Sequence, residues 1–333
     1  MQKCTIYDIA QKAGVSASTV SRVINNHAYV KKATRDKVME VLKECNYVPD
    51  EAARSLVTQT SRMIGLLISD IRTTHHTDAI FYLERELIKR DFCCIILNTG
   101  REAEEQVKYI KILSQRNVDA AILIGSIYQS EDVRKAILQY LPTTPVMMLN
   151  GYLEAPNIYG LIVDEQTGVY NTVRMLANKN RRHLAFILDC ATPSNEAKLR
   201  GFMLGMEKYC GGSRPVVVKV DGETQASYDA TVQLLDDYPE VDGIIYAEDL
   251  LALPGMRAIA DMHLSIPDAI AVVGINNSLY AVNSIPALTS LDNMLRDMSK
   301  TLIRNLIFVQ RNREVEHKTM LPTQLVERES TPK

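Results

Sequence analysis

A string of small polar side chains between residues 16 and 25 is the strongest chemical signal in the 333-residue sequence. Hydroxyl and amide groups recur there around a single guanidinium. Such groups suit hydrogen bonds to phosphate oxygens and to base edges in a major groove. An isolated serine would more simply cap or solvate a short helix, but the complete string favours a recognition surface. The string consists of Ser16, Ala17, Ser18, Thr19, Ser21, Arg22 and Asn25.

Two short helices joined by a tight turn would position this surface. Thr5 and Asp8 have the spacing of a capping box, which predicts the start of a first helix. Gly14 can adopt the positive φ that ends this helix, and Ser16 is a good N-cap for a second one. A third helix is expected over residues 34–45, so that three apolar faces would form one small core. The pattern predicts a helix-turn-helix.

The charge distribution favours contact with a polyanion at this end of the chain. The formal net charge of the whole chain is only -2. Residues 1–62 nevertheless hold ten of the 38 Lys and Arg and six of the 40 Asp and Glu, so this segment carries +4 and the remainder carries -6. A basic head on an acidic body is typical of a head that meets nucleic acid, although a +4 segment can also be an ordinary solvated surface.

From Arg62 onward, near-continuous apolar strands alternate with helical segments, which predicts parallel sheets covered by helices on both faces. Ten strands exceed one doubly wound unit, so we expect an α/β body of two such lobes, with the chain changing lobe near residues 159–163. The strands are expected at 63–69, 92–98, 120–126, 146–150, 159–164, 184–188, 216–220, 243–246, 269–274 and 288–291, and the helices at 77–90, 102–116, 130–140, 165–179, 195–210, 224–237, 249–262 and 292–311.

Several classes of protein are excluded by what the sequence lacks. It contains no P-loop, GxGxxG, GxSxG or HExxH motif, so we expect neither an enzyme nor a cofactor. Its six cysteines include no CxxC pair, which favours reduced thiols in a cytoplasmic protein and no metal site. The opening MQKCTIYD lacks the apolar segment of a secretory signal, and no apolar run could span a bilayer. An exported solute-binding protein and a membrane protein are therefore not expected.

The segments TIYDIAQKAGVSASTVSRVIN, TRDKVMEVLKECNYVPD and AARSL closely resemble the head of the lactose-repressor/galactose-repressor (LacI/GalR) family of bacterial transcription regulators. The resemblance is dense over about the first 60 residues and more diffuse beyond them. It implies a homodimeric DNA-binding regulator, in the first place a repressor, that recognises a palindromic operator in double-stranded DNA. It further implies control by a small-molecule effector, such as a sugar or a sugar derivative.

The same resemblance implies which head residues contact DNA. Ala17, Ser18 and Arg22 would approach bases. A hinge helix would pair with its dimer mate in the minor groove, where Leu56 would act as an apolar wedge between base steps. Asp50 departs from the usual Asn and is left out of the contacts. The remaining implied contacts, mostly to the phosphate backbone, are Thr5, Ser16, Thr19, Ser21, Asn25, Thr34, Tyr47 and Ala53.

The resemblance also divides the chain. Residues 1–48 would be the helix-turn-helix domain, 49–61 the hinge helix and linker, and 62–333 a two-lobe body like the type I periplasmic binding proteins. The first lobe would comprise 62–159 and 292–320, and the second 160–291 and 321–333. After Leu325 the tail is VERESTPK, which is too short and too polar for a tetramerising heptad, so we expect a dimer.

Ligands of open parallel sheets bind beyond the carboxyl ends of the strands, so the residues at these ends are candidates for effector binding. Lys198 stands where the family usually has Arg, and Asn276 where it usually has Asp, which suggests a neutral or anionic effector. The adjacent histidines could also bind a metal, but the sequence shows no third ligand. The candidates are Asp70, His75, His76, Ser126, Asn150, Ser194, Lys198, Tyr246 and Asn276.

Two alternatives to a small effector remain open at this point. Some relatives respond to a phosphorylated carrier protein, and a cleft that departs from the family pattern could also have lost its effector. The departures at Lys198 and Asn276 do not decide between these possibilities.

Overall fold

The computed structural model describes residues 4–24, 29–47, 60–221 and 224–331. The chain divides into two compact units, Met1–Ser61 and Arg62–Lys333, which are described separately below. Asn25, Ala53 and Leu56, which are expected to contact DNA, lie outside the described residues, as does nearly all of the expected hinge.

The first unit is a small helical domain built as the sequence predicts. Its helices are α1 (Ile6–Ala13), α2 (Ala17–Ile24) and α3 (Lys32–Glu44). Thr5 and Asp8 form the capping box of α1, and Gly14 ends it with φ 64°. The third helix begins two residues before the predicted start, since Lys and Ala are good helix formers. The buried core of the unit consists of Ile9, Ala10, Ala13, Val20, Val23, Val38 and Val41.

Two six-stranded sheets form the second unit, which confirms the prediction of two α/β lobes. The first sheet has the order β11-β5-β4-β3-β1-β2 and is parallel throughout. Its strands are β1 (Met63–Ile68), β2 (Cys93–Asn98), β3 (Ala120–Ile124), β4 (Val146–Leu149), β5 (Ile158–Val163) and β11 (Lys318–Leu321).

The second sheet has the order β12-β10-β9-β8-β6-β7, and only β12 runs antiparallel to its neighbour. Most strands of both sheets are buried on both faces, because helices cover each sheet from either side. The strands of the second sheet are β6 (Leu184–Leu188), β7 (Val216–Lys219), β8 (Gly243–Tyr246), β9 (Ala271–Ile275), β10 (Thr289–Asp292) and β12 (Gln324–Val326).

Nine helices connect the described strands of the body. α12 packs against α4 and returns the chain to the first lobe, whereas α7 and α8 pack together in the second. The helices are α4 (Thr74–Ile88), α5 (Ala103–Gln115), α6 (Glu131–Tyr140), α7 (Glu165–Asn178), α8 (Pro193–Tyr209), α9 (Thr224–Asp237), α10 (Asp249–Asp261), α11 (Leu279–Asn283) and α12 (Leu295–Gln310).

The predicted lobe boundary inside β5 is wrong. This strand belongs wholly to the first sheet, because Gly160 pairs with Met148 on one side and with Lys318 on the other. The chain therefore leaves the first lobe only after Val163. It crosses again between β10 and α12, and a third time between β11 and β12.

The starts of two predicted helices differ from the structure by three residues each. α4 begins at Thr74, three residues before the predicted start, so His75 and His76 lie in its first turn. α12 begins at Leu295 because β10 extends to Asp292. Within the described parts of the chain, no helix has both the length and the apolar character needed to cross a membrane.

Candidate functional site

The hydroxyl groups around the start of α2 form a connected network. The Oγ of Ser16 accepts a hydrogen bond from the backbone N–H of Thr19 at 3.2 Å, which is an N-cap. The same Oγ lies 2.8 Å from the Oγ of Ser18 and 2.9 Å from the Oγ1 of Thr19. Ser18 and Arg22 are exposed, whereas Ala17 is half-buried against the helical core. The exposed hydroxyl of Ser18 is therefore held by the cap of its own helix.

Thr5, Thr34 and Tyr47 are further predicted DNA contacts of the head, and Thr5 has a hydrogen-bond partner within the protein. The hydroxyl of Thr5 donates to Oδ2 of Asp8 at 2.7 Å and accepts from the Asp8 backbone N–H at 3.3 Å. The backbone N–H of Thr5 also donates to Oδ2, at 2.8 Å, and this bond together with that from the hydroxyl lowers the pKa of Asp8. A phosphate bonded by the Thr5 hydroxyl would have to replace Asp8 as its acceptor. Thr34 and Tyr47 are half-buried, and Tyr47 packs against the core of the head.

The facing strand ends of the two lobes enclose a cavity of about 450 Å³. The structure places eight of the nine candidate effector residues on its wall. Those from the first lobe are Asp70, His75, His76, Ser126 and Asn150, and those from the second are Ser194, Lys198 and Asn276.

Tyr246 does not line the cavity, so its prediction as an effector contact is wrong. Its side chain is fully buried in the core of the second lobe, where its hydroxyl lies 2.9 Å from the Oγ1 of Thr231. Side chains alternate between the two faces of a strand, and Tyr246 points to the face covered by α9 and α10. The carbonyl of Ala247, one residue later, reaches the cavity wall through Lys198.

A buried ion pair lies at the base of the cavity. The Nζ of Lys198 is 3.5 Å from Oε1 of Glu165, and the two side chains are only 5% and 2% exposed. Nζ also donates to Oδ1 of Asn195 at 3.2 Å and to the carbonyl of Ala247 at 3.1 Å. The ammonium is thus engaged by two hydrogen bonds and one ion pair. Lys198 therefore holds the wall together.

Glu165 is central to the cavity wall and was not predicted from the sequence. The hydroxyl of Ser194 donates to its Oε2 at 2.6 Å, and the Nδ2 of Asn293 donates to its Oε1 at 3.1 Å. The same Nδ2 lies 3.0 Å from Oδ1 of Asn276, which joins that residue to the network. Glu165 and Asn293 follow closely on β5 and β10, so the strand-end rule applied to the other strands would have found both.

The two histidines at the start of α4 are neutral hydrogen-bonding groups. The Nδ1 of His76 donates to the carbonyl of Asp70 at 2.9 Å, and burial lowers the pKa of His76. Burial, with smaller contributions from His76 and Lys198, lowers the pKa of His75 to about 3. Its Nδ1 is shielded from solvent and has no hydrogen-bond partner among the residues that the structure describes. No cluster of His, Cys, Asp or Glu suited to a metal ion occurs in the described ranges.

Direct contacts cross the cavity between the lobes. The backbone N–H of Ser194 donates to the Oγ of Ser126 at 3.1 Å. Arg101 lies 3.4 Å from Asp189, and this ion pair also joins the first lobe to the second. The charges on the wall are thus largely paired within the protein. Glu248 forms no ion pair with another described residue, and burial raises its pKa to about 7.

Two family models match the chain. Residues 5–50 match the model described as bacterial regulatory proteins of the lacI family. Residues 173–331 match the periplasmic binding protein-like domain. The first match covers the helical head and the second covers most of the second lobe.

Similar proteins extend the match to the whole chain. An HTH-type transcriptional regulator of Lachnoclostridium phytofermentans is 32% identical over 98% of this chain and 99% of its own. A ribose operon repressor of Halalkalibacterium halodurans is 30% identical over 98% of this chain and 97% of its own. The Lac repressor dimer bound to operator and the anti-inducer ONPF has the same fold, with a TM-score of 0.89, 24% identity and 99% of both chains covered. The chain therefore belongs to the LacI family of bacterial regulatory proteins and is a DNA-binding transcription regulator rather than an enzyme.

Proposed function

We propose that this regulator is a homodimeric repressor that acts in the cytoplasm and responds to a neutral, polyhydroxylated effector, a monosaccharide or a close derivative, bound between the lobes. The observation that carries the proposal is the wall of the cavity. It combines paired charges with many neutral hydrogen-bonding groups in a volume of about 450 Å³. That volume lies in the usual range for small-molecule sites.

The paired charges argue for a neutral ligand. The ammonium of Lys198 is paired with Glu165 and donates to Asn195 and Ala247, and the guanidinium of Arg101 faces Asp189. An anion entering the cavity would meet the carboxylates of Glu165 and Asp189 without an unpaired cation to offset them. This narrows the expectation from the sequence, which allowed an anionic effector, to a neutral one.

A polyol matches the hydrogen-bonding positions of the cavity wall that protein partners leave unused. A carboxylate has about four acceptor positions, and Glu165 uses three of them for Lys198, Ser194 and Asn293. A sugar hydroxyl can take the fourth position, and another can bond the carboxamide of Asn150. Neutral donors and acceptors of this kind orient a sugar by its hydroxyl pattern.

The contacts across the cavity supply a route from effector to DNA. A ligand between the lobes must compete with the Ser126–Ser194 hydrogen bond and the Arg101–Asp189 ion pair. Replacing these contacts would change the balance between lobe arrangements. Coupling between two sites in such systems is typically about 1–3 kcal/mol. Either sign of coupling, induction or corepression, is compatible with this route.

Operator recognition is assigned to the head. We propose that Arg22 and Ser18 read bases, that Ala17 packs against them, and that the hinge contributes Leu56 as a minor-groove wedge. The exposure of Ser18 and Arg22 supports this assignment. A palindromic operator requires two heads, so the functional unit is a dimer, as in the operator-bound Lac repressor structure.

The proposal is tested by thermal unfolding in the presence of neutral monosaccharides, their phosphorylated forms and a phosphorylated carrier protein. A ligand at about 100 times its Kd should stabilise the body by roughly 2.7 kcal/mol. We expect a neutral sugar to raise the melting temperature, and Asn276→Ala to remove that rise. Stabilisation by phosphorylated sugars or by the carrier protein alone would contradict the proposal, as would no response to any of these probes.

A further inference from the structure

One carboxyl group on the cavity wall has no partner among the residues that the structure describes. Glu248 lies just after β8, is half-buried and lines the cavity. It occupies the N-cap position of α10, where a carboxylate often accepts a hydrogen bond from its own helix, but its side chain makes no such bond. Its backbone carbonyl accepts from the N–H groups of Leu251 and Ala252 instead, at 3.1 and 3.2 Å. The carboxyl group is therefore available to a ligand.

The next residue, Asp249, is bonded by the protein and serves a different purpose. Its Oδ1 accepts from the Oγ of Ser290 at 2.6 Å, and its Oδ2 accepts from the backbone N–H of Ser278 at 2.7 Å. Asp249 is buried behind the cavity wall, and burial raises its pKa to about 6. Asp249 therefore joins α10 to β10, whereas the adjacent Glu248 remains for the cavity.

The charges around Glu248 do not compensate a carboxylate there. Two acids and two cations act on it: Asp189, Asp249, Lys198 and Arg101. Both cations already face other carboxylates, since Lys198 lies 3.5 Å from Glu165 and Arg101 lies 3.4 Å from Asp189. A further negative charge at Glu248 would thus lie in a wall where each cation is already shared.

We infer that Glu248 binds the effector as a neutral carboxylic acid, whose O–H donates a hydrogen bond to an oxygen of the sugar, so that effector binding is coupled to proton uptake. The inference rests on the proposed function, because it concerns the neutral effector of the same cavity. A neutral ligand displaces water from the carboxyl group and brings no cation to offset its charge. The complex therefore favours the protonated form more strongly than the free protein does.

The protonation state of Glu248 also determines what the ligand must offer. A protonated carboxyl group donates through its O–H, whereas a carboxylate only accepts. Glu165, paired with Lys198, accepts from a sugar hydroxyl, and Glu248 donates to a sugar oxygen. The two acids therefore select for a ligand that presents both a donor and an acceptor, as a polyol does.

The other wall groups with shifted pKa values titrate away from neutral pH. Burial lowers the pKa of both histidines of α4, that of His75 to about 3. Hydrogen bonds from Arg72 hold the pKa of Asp70 at about 2, and burial raises the pKa of Cys190 to about 12. Burial raises the pKa of Glu248 to about 7, so the pH dependence of effector binding near neutral pH is expected to come from this residue.

The test measures binding of neutral monosaccharides to the full-length protein by isothermal titration calorimetry. The probes are D-ribose, D-xylose, D-glucose and D-galactose, and the sugar that binds most tightly at the lowest pH is used throughout. Its affinity should fall about five- to tenfold between about pH 6.5 and 8, because free Glu248 has lost its proton at the higher pH. Near pH 7 the enthalpies in phosphate and Tris buffers should differ by the uptake of about half a proton.

Three variants identify the group responsible. Glu248→Gln keeps a neutral donor of similar shape, so it should bind the sugar as the wild type does at low pH, but with no dependence on pH or buffer. Glu248→Ala lacks the donor and should bind about tenfold more weakly than Glu248→Gln. The matched control is Asp70→Asn, which removes another acid of the wall. Whatever its effect on affinity, it should keep the wild-type pH slope.

Two results would overturn the inference and leave the neutral effector in place. One is binding by the wild type without proton uptake, which needs no variant to fold. The other is a pH slope that Glu248→Gln shares with the wild type. Failure of all four sugars to bind at any pH would instead refute the proposed neutral effector, and the inference with it.

Discussion

Replacing Lys198 with Met tests the buried ion pair at the base of the cavity. Met keeps most of the aliphatic stem of Lys198 but removes the ammonium, so the carboxylate of Glu165 stays buried beside only Ser194 and Asn293. Removing one partner of a buried pair typically costs about 3–5 kcal/mol, because the remaining charge has lost its compensation. The loss of the bonds to Asn195 and Ala247 adds to that cost. Urea denaturation followed by circular dichroism measures the change in the free energy of unfolding.

Two further variants define how this result is interpreted. Adding Glu165→Gln to Lys198→Met removes the stranded charge, so the double variant should regain a large part of the lost stability. The control is Lys179→Met, which breaks a pair with Glu327 whose carboxylate is 51% exposed and should cost no more than about 1 kcal/mol. If Lys198→Met lowers the free energy of unfolding no more than this control does, the ion pair does not organise the cavity. The same conclusion follows if the effects of the two substitutions in the double variant are additive.

Three other predictions concern separate parts of the protein. Arg22→Ala should lower specific operator affinity by about 1–3 kcal/mol in a fluorescence titration, and equal affinity at every salt concentration would remove Arg22 from the base contacts. Leu56→Ala should lower operator affinity and the DNA bend angle without changing the thermal shift caused by the effector. Burial raises the pKa of Glu248 from 4.5 to about 7, so the folded protein retains a proton that the unfolded chain loses within this window. Glu248 should therefore lose its stabilising contribution as the pH rises from about 4.5 to 7, so the difference in melting temperature between the wild type and Glu248→Gln should change across this window, which a constant difference would disprove.

The helical head could be predicted from local signals alone. The capping box at Thr5 and Asp8, the positive φ at Gly14 and the cap at Ser16 each act within a few residues. The structure places all three where the sequence indicated. Only the start of α3 was missed, because Lys31 caps it without a side-chain hydrogen bond and thus leaves no recognisable signal.

In the two-lobe body, short-range sequence signals predict only part of the cavity. Strand ends correctly indicated most of the cavity wall, because all parallel strands of one sheet end at the same edge. They did not show that Tyr246 faces the core, since a strand buried on both faces carries no alternation from which to read orientation. The ion-pair partner of Lys198 could not be predicted from the sequence either. Glu165 lies 33 positions away on another helix, and only the packing of α7 against α8 brings the two together.

The proposed function requires that a neutral ligand in the cavity controls binding to DNA. The most direct measurement is operator affinity with and without the stabilising sugar, for the wild type and for Asn276→Ala. We expect the sugar to change wild-type affinity by about 5–150-fold and to have little effect on the variant, while both proteins bind the operator alike without sugar. An unchanged wild-type affinity, or the same change in both proteins, would contradict this expectation.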